Sequence, residues 1–318
     1  MSTIELPRSA ASAAPPPRPR RTRRWRGIVT AWTIRRALVV VLGMAGFAVL
    51  LYPSAGAWFT DRAHASVVSG YAETVKSMTP ESIRQQLHAA HQYNKHLPKG
   101  PLRDPYSSSG AGQETALGSD AKRYLDTLNV VQGGMMGVLS IGGIGVTLPV
   151  FHGTGASTLD KGVGHLYGTA LPVGGRGTHS VLTGHSGIAG VTLFTHLHEM
   201  QLGDTFTVTV LDRTLTYQVD QIKTVLPEET EDLEPIAGED HITLVTCTPI
   251  GVNSHRLLVR GIRIPTPKSV SPPAFIAGKS GPGFPWWILE ACGGLVVLLL
   301  ISSPLGRRAP RRSEGSGR

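Results

Sequence analysis

The chain has 318 residues, 17% of them charged and 41% hydrophobic, with a formal net charge of +9. That excess sits at the two ends: residues 1–36 hold nine Arg and one Glu, residues 305–318 hold five Arg and one Glu, and the segment between is mildly acidic at about −3. A basic folded face for nucleic acid is thereby excluded, and two cysteines are too few to staple an exported domain with disulfides.

Residues 1–36 read as a disordered basic cytoplasmic tail, rich in Pro, Ala and Arg. The apolar run 37–59 follows Arg35-Arg36 and ends at Trp58-Phe59. It is long enough to cross a hydrocarbon core, which needs about 20 residues, and the arginines before it place the N-terminus inside. Ala55-Gly56-Ala57 resembles a signal-cleavage site, but the run exceeds the about 7–15 residues of a signal core, so an uncleaved anchor is the favoured reading. Residues 60–136 read as a helical region. Thr79 caps a helix with Pro80 at its first position, and Ile83, Leu87, Ala90 and Leu97 recur on one face. A loop over 99–118 carries Asp104-Pro105-Tyr106, and a short helix is expected over 119–130.

From Gly137 the pattern changes to short strands, over 138–141, 146–150, 179–183, 241–246 and 256–264. A hairpin is expected from 205–211 and 214–222 across Asp212-Arg213. Gly-rich connections between many short strands suggest a closed or nearly closed barrel over 137–264. Residues 265–285 read as a linker, and residues 286–303 as a second transmembrane helix, with Trp286 and Trp287 at the outer interface. Glu290 is costly at depth and is placed near the outer edge. The basic tail 304–318 follows. A buried core helix, the other reading of 286–303, leaves the arginines after it unexplained. The fold expected is mainly β, a barrel with N-terminal helical additions between two transmembrane helices, with membrane lipid as a partner.

Cys247 closes the strand Ile242–Thr246, where a sheet can fix a nucleophile at the edge of a cleft. By spacing alone it is as readily a small buried hydrophobe. His185 lies in Thr183-Gly184-His185-Ser186-Gly187, and the flanking glycines would leave room for a substrate. Arg256, nine residues after Cys247 at the start of the next strand, would sit at the same end of the barrel. Its guanidinium can hold a carbonyl or an oxyanion. Arg260, on the same strand face, is the alternative, and a surface ion pair is the bland reading of either. His88, His91 and His96 are read as solvated, and His165, His179 and His255 as packing residues. His196 and His198 lack a third ligand at suitable spacing, so no metal site is expected. No phosphate-loop or dinucleotide fingerprint occurs, and no cofactor is implied.

Thr243-Leu244-Val245-Thr246-Cys247 matches the sortase signature Thr-Leu-x-Thr-Cys. Its extension through Thr248-Pro249 to Arg260-Gly261, the stretch Gly162–Leu166 with Gly168–Gly175, and Thr178–His185 resemble class C, pilus-assembling sortases in particular. The resemblance covers much of residues 138–264. It implies a sortase-type β-barrel, a catalytic trio of Cys247, His185 and Arg256, and a lid formed by Asp104, Pro105 and Tyr106. It also implies a cysteine transpeptidase on the outer face of the plasma membrane of a Gram-positive type cell. Such an enzyme cuts a Leu-Pro-x-Thr-Gly-like signal of pilin or surface-protein partners between Thr and Gly, forms a thioacyl-enzyme, and passes it to a pilin Lys. The chain departs from the family pattern at Tyr106, where Trp or Phe is more familiar, at Ser186 in place of Arg, and at Ile250 in place of Tyr. Three other readings stay open: attachment to a cell-wall precursor amine, a Cys/His hydrolase, and a non-catalytic receptor or scaffold.

Overall fold

The computed structural model describes residues 22–97, 102, 104, 106, 119–267 and 281–302; both terminal basic tails beyond these limits, most of the linker, and Pro105 lie outside the described residues. The helices are α1 (Thr22–Ser77), α2 (Pro80–Lys95), α3 (Ser119–Asp126), α4 (Ala156–Leu159) and α5 (Trp286–Ser302). The strands are β1 (Met135–Ile141), β2 (Val146–His152), β3 (Val163–His165), β4 (Thr178–Thr183), β5 (Thr205–Val210), β6 (Arg213–Val225), β7 (Asp240–Thr248) and β8 (His255–Ile264). The chain divides into two compact units, one of residues 1–49 and 290–318, the other of residues 50–289.

In the first unit α1 and α5 lie side by side, with Leu298 against Gly43 and Phe47 against Gly294. Leu38, Val41, Leu42 and Val49 of α1 are exposed, as a lipid-facing surface requires. Among the described residues α1 alone is long and apolar enough to cross a membrane; α5 is a shorter apolar helix. Its 17 residues reach about 26 Å, short of an average hydrocarbon core of about 30 Å. The sequence-based pair of transmembrane helices thus resolves into one such span and one shorter helix.

The second unit is built on a closed eight-stranded barrel in the order β1-β2-β3-β4-β7-β8-β6-β5. The pairs β2·β3 and β4·β7 are parallel. The hairpin closes one residue earlier than the alternation predicts, with Val210 opposite Arg213 and Leu211-Asp212 at the turn. Leu139, Leu148, Leu182, Phe206, Leu244 and Val259 fill the core. The run 37–59 does not end its helix at 59: α1 continues to Ser77 because Val68 and Tyr71 find a new apolar partner in Met135, Val138 and Phe151 of the barrel wall. Helix α2 starts as its sequence dictates, with Thr79 Oγ1 accepting the Ser82 N–H at 3.2 Å. It buries Ile83, Ala90 and Tyr93. Asn94 ties it to Leu171, donating to the carbonyl at 3.0 Å and accepting the N–H at 2.8 Å.

Tyr71 pins α1 to β1 and to the β5–β6 turn at once. Its hydroxyl donates to Met136 O at 3.1 Å and accepts the Leu211 N–H at 2.8 Å, with the ring fully buried. Tyr71→Phe keeps the ring and strands a buried N–H, which costs about 1–3 kcal/mol. A lower urea midpoint at unchanged slope is the expected result; an unmoved midpoint would mean the bond carries no net stability.

Candidate active site

Three adjacent strands present three side chains at one rim. On β7 and β8, Cys247 stands directly opposite Arg256. Thr183 of β4 is level with Val245 of β7, and the Gly184 N–H donates to Val245 O at 3.1 Å. His185 therefore comes level with Cys247 from the other side. Neighbouring strands lie about 4.8 Å apart, so the order His185, Cys247, Arg256 across the rim follows from register alone. Ser186 fastens the His185 side, its hydroxyl donating to Cys247 O at 2.7 Å. Thr246 Oγ1 donates to Gly184 O at 2.7 Å.

The glycines beside His185 do not leave space for a substrate as expected. A side chain on Gly184 would meet the Phe194 ring at 2.9 Å, and one on Gly187, where φ is +70°, would collide with the Ile250 side chain. They let the loop close onto its neighbours. The open space lies instead between that loop and the turn after β7. It is a cleft of about 260 Å³ lined by Ser186, Phe194, Thr195, Cys247, Ile250 and Leu257.

Arg256 is nearly buried and its donors are engaged. Nη1 donates to Asn253 O at 2.9 Å and His255 O at 3.0 Å; Nε and Nη2 donate to the two carboxylate oxygens of Asp104 at 2.7 and 2.8 Å. Tyr106 lies between Arg256 and His185. Its ring centroid is 5.1 Å from the guanidinium carbon and 5.7 Å from the His185 ring. Its hydroxyl donates to Gly184 O at 2.5 Å. Leu102 and Tyr106 also pack on the apolar patch of Leu166, Val181, Val245 and Leu258. The loop motif is thus fixed to the rim through Asp104 and Tyr106.

Burial pushes the Cys247 thiol above its ordinary value, the Asp104 carboxylate adds to that push, and Arg256 opposes it. Burial holds His185 below its ordinary value, against a weaker pull from Asp160. With the loop seated, a neutral thiol faces a neutral imidazole at neutral pH. The groups together offer a nucleophile, a proton carrier and a fixed cation, the set that acyl transfer needs.

Arg260, the alternative cation, pairs with Asp220 beside His241. It lies opposite Thr243, while Arg256 lies opposite Cys247, about 13 Å away along the strand. His165 is buried against Tyr124 and donates from Nε2 to Ala170 O at 2.8 Å; burial pushes it down to about 3. His179 lies between Glu234 O and the Thr243 hydroxyl and is pushed down to about 4. Both are packing groups, as read from the sequence. His255 bonds Ser254, and His196 pairs with Glu199. Neither Cys247 nor Cys292 is in a disulfide. Sequence reasoning missed Asp160, which stands in no motif, and the bond from Ser186, visible there only as a departure from a family pattern.

A sortase-domain family model matches residues 139–264. The chain is similar to the crystal structure of sortase C-1 from Actinomyces oris, at 45% identity over 59% of this chain and 100% of that one, with a TM-score of 0.54. It is similar also to the pilus-related sortase C of Group B Streptococcus, at 41% identity over 61% of this chain and 94% of that one, with a TM-score of 0.54. Sortase A of Streptococcus agalactiae is 29% identical over 36% of this chain, and the match spans about half of that protein, 47%.

Proposed function

Because this chain belongs to the sortase family of cysteine transpeptidases, we propose that it cuts a Leu-Pro-x-Thr-Gly-like signal between Thr and Gly and joins the new Thr carbonyl to a pilin Lys. The observation that carries this is the single rim on which β4, β7 and β8 set His185, Cys247 and Arg256. In this reading the Cys247 thiolate adds to the Thr carbonyl carbon and Arg256 donates to the oxyanion. The C–N bond then breaks as the His185 imidazolium gives its proton to the leaving Gly amine, and a thioester remains. A Lys amine adds to that thioester, His185 takes the amine's proton, and the Cys247 sulfur leaves. Water in place of Lys gives slow hydrolysis. Helix α1 anchors the protein, and α5, at the lower limit of length for a span, returns the chain to its basic tail in the cytoplasm, leaving the barrel outside the cell.

Asp104, Pro105 and Tyr106 act as a lid. Asp104 occupies the Arg256 donors that an oxyanion would use, and Tyr106 occupies the space between Arg256 and His185. The pilus reading rests on this lid and on the class C likeness.

The test uses the full-length protein in proteoliposomes with a pilin bearing the signal. SDS-resistant ladders, with mass spectra showing Thr joined to a Lys Nζ, are the expected result. Transfer only to a cell-wall precursor amine would replace the pilus reading with the housekeeping one. Peptide release that added amine does not divert would make the protein a hydrolase.

A further inference from the structure

The loop that carries His185 also reaches the anchor helix. Past Gly187 it turns at Ile188-Ala189-Gly190-Val191, where the Val191 N–H donates to Ile188 O at 3.2 Å. Gly190 has φ of +79°, the value the third residue of a type II turn takes. Gly190 rests backbone to backbone on Gly56 of α1. A side chain on Gly56 would come within 2.9 Å of Gly190 Cα, and one on Gly190 within 3.3 Å of Gly56 Cα. Tyr52, Gly56 and Thr60 are four residues apart and share one helix face. Thr60 Oγ1 donates to Gly190 O at 3.1 Å, and Thr192 Oγ1 donates to Asp61 at 3.5 Å. The turn is joined to α1 at several points around one close approach.

That joint lies at an aromatic level. Trp58 and Phe59 meet at 5.1 Å between ring centroids, Trp287 lies 6.5 and 5.8 Å from them, and Trp58 Nε1 donates to Gly283 O at 2.9 Å. Such clusters mark the headgroup layer. Gly56 is two residues before Trp58, so it lies about 3 Å to the apolar side of it. The chemistry of the turn agrees with that depth. From Ser186 through Phe194 there is no charged residue. Gly187, Ile188 and Ala189 are exposed, Ile188 at 43%. The exposed apolar surface continues to Ile250, which abuts Gly187.

We propose that the turn Ile188–Val191 is seated in the lipid headgroup layer, so that the His185 loop is held by the membrane surface and the anchor helix together. The partner of this surface is lipid. The inference rests on the reading of α1 as a membrane anchor, and the test separates the two.

Single nitroxide labels are placed at Ile188→Cys, Val41→Cys and Leu202→Cys in the full-length chain carrying Cys247→Ala and Cys292→Ala. The protein is reconstituted in nanodiscs of phosphatidylcholine and phosphatidylglycerol, and collision with oxygen and with a water-soluble nickel chelate is read by power saturation. Leu202, 67% exposed on the barrel, reports water, and Val41 reports the span. The label at Ile188 is expected to favour oxygen, with a several-fold loss of nickel collisions relative to Leu202. Nickel access at Ile188 equal to that at Leu202, with Val41 still in lipid, overturns the proposal and leaves the anchor standing. Nickel access at Val41 overturns both. A label at Ile188 shielded from both reagents means protein covers the turn, and that also overturns it.

Discussion

Arg256→Lys will lower kcat for transpeptidation by about 10²–10³-fold, the usual cost of one lost oxyanion donor, and Cys247→Ala will leave no turnover. Lysine keeps the charge but not the planar fork. The fork is what the site is built around. Asn253 O and His255 O fix Nη1, which turns the Nε and Nη2 edge toward Asp104. The Asp104 carboxylate oxygens, 2.7 and 2.8 Å from that edge, mark where a substrate oxyanion would be received once the lid leaves. A flexible ammonium has neither the two carbonyl stays nor the paired donors. Arg260→Lys serves as the contrast, because its partner is Asp220 on β6. Initial rates with a signal peptide and an amine decide the matter. A near wild-type rate for Arg256→Lys, or an equal loss for Arg260→Lys, would remove Arg256 from the mechanism.

How much of this was legible in the sequence depends on how local each cause is. Cys247 and Arg256 are nine residues apart on strands joined by one short turn, so the alternating pattern and the turn together place them side by side. The cap at Thr79 is equally local. That the apolar run and the helical region after it form one unbroken α1 was not readable, because what carries the helix past residue 59 is a partner surface made by Met135, Val138 and Phe151, far along the chain. The same holds for the glycines around His185. Sequence says only that side chains are absent there, and the reason is the approach of Phe194 and Ile250. The barrel order, in which β4 meets β7 and not β5, is a pairing of strands some 60 residues apart. It is what brings His185 to Cys247, and no local pattern encodes it.

Tyr106→Ala will raise the rate at which Cys247 reacts with a bulky maleimide by about 30-fold, if the ring contributes about 2 kcal/mol to the seated loop. That contribution is the sum expected from burying an aromatic ring and placing it over a guanidinium. The acceleration should shrink with a small reagent such as iodoacetamide, because Tyr106 stands between the His185 ring and the Arg256 guanidinium and a small molecule needs less of that space. Cys247 also lines the cleft beside Ile250. Asp104→Asn should act through charge as well as access. The carboxylate raises the Cys247 pKa while Arg256 lowers it. Removing the carboxylate leaves the guanidinium unopposed, and the thiolate forms at lower pH. Loosening the loop also relieves burial, which lowers the thiol further and raises His185, since burial holds that imidazole down. The midpoint of the labelling rate against pH must therefore move to lower pH in Asp104→Asn. Labelling rates for Tyr106→Ala equal to wild type with the bulky reagent would show that the loop does not gate the thiol. A midpoint that stays put or rises in Asp104→Asn would show that its carboxylate does not set the charge balance at Cys247.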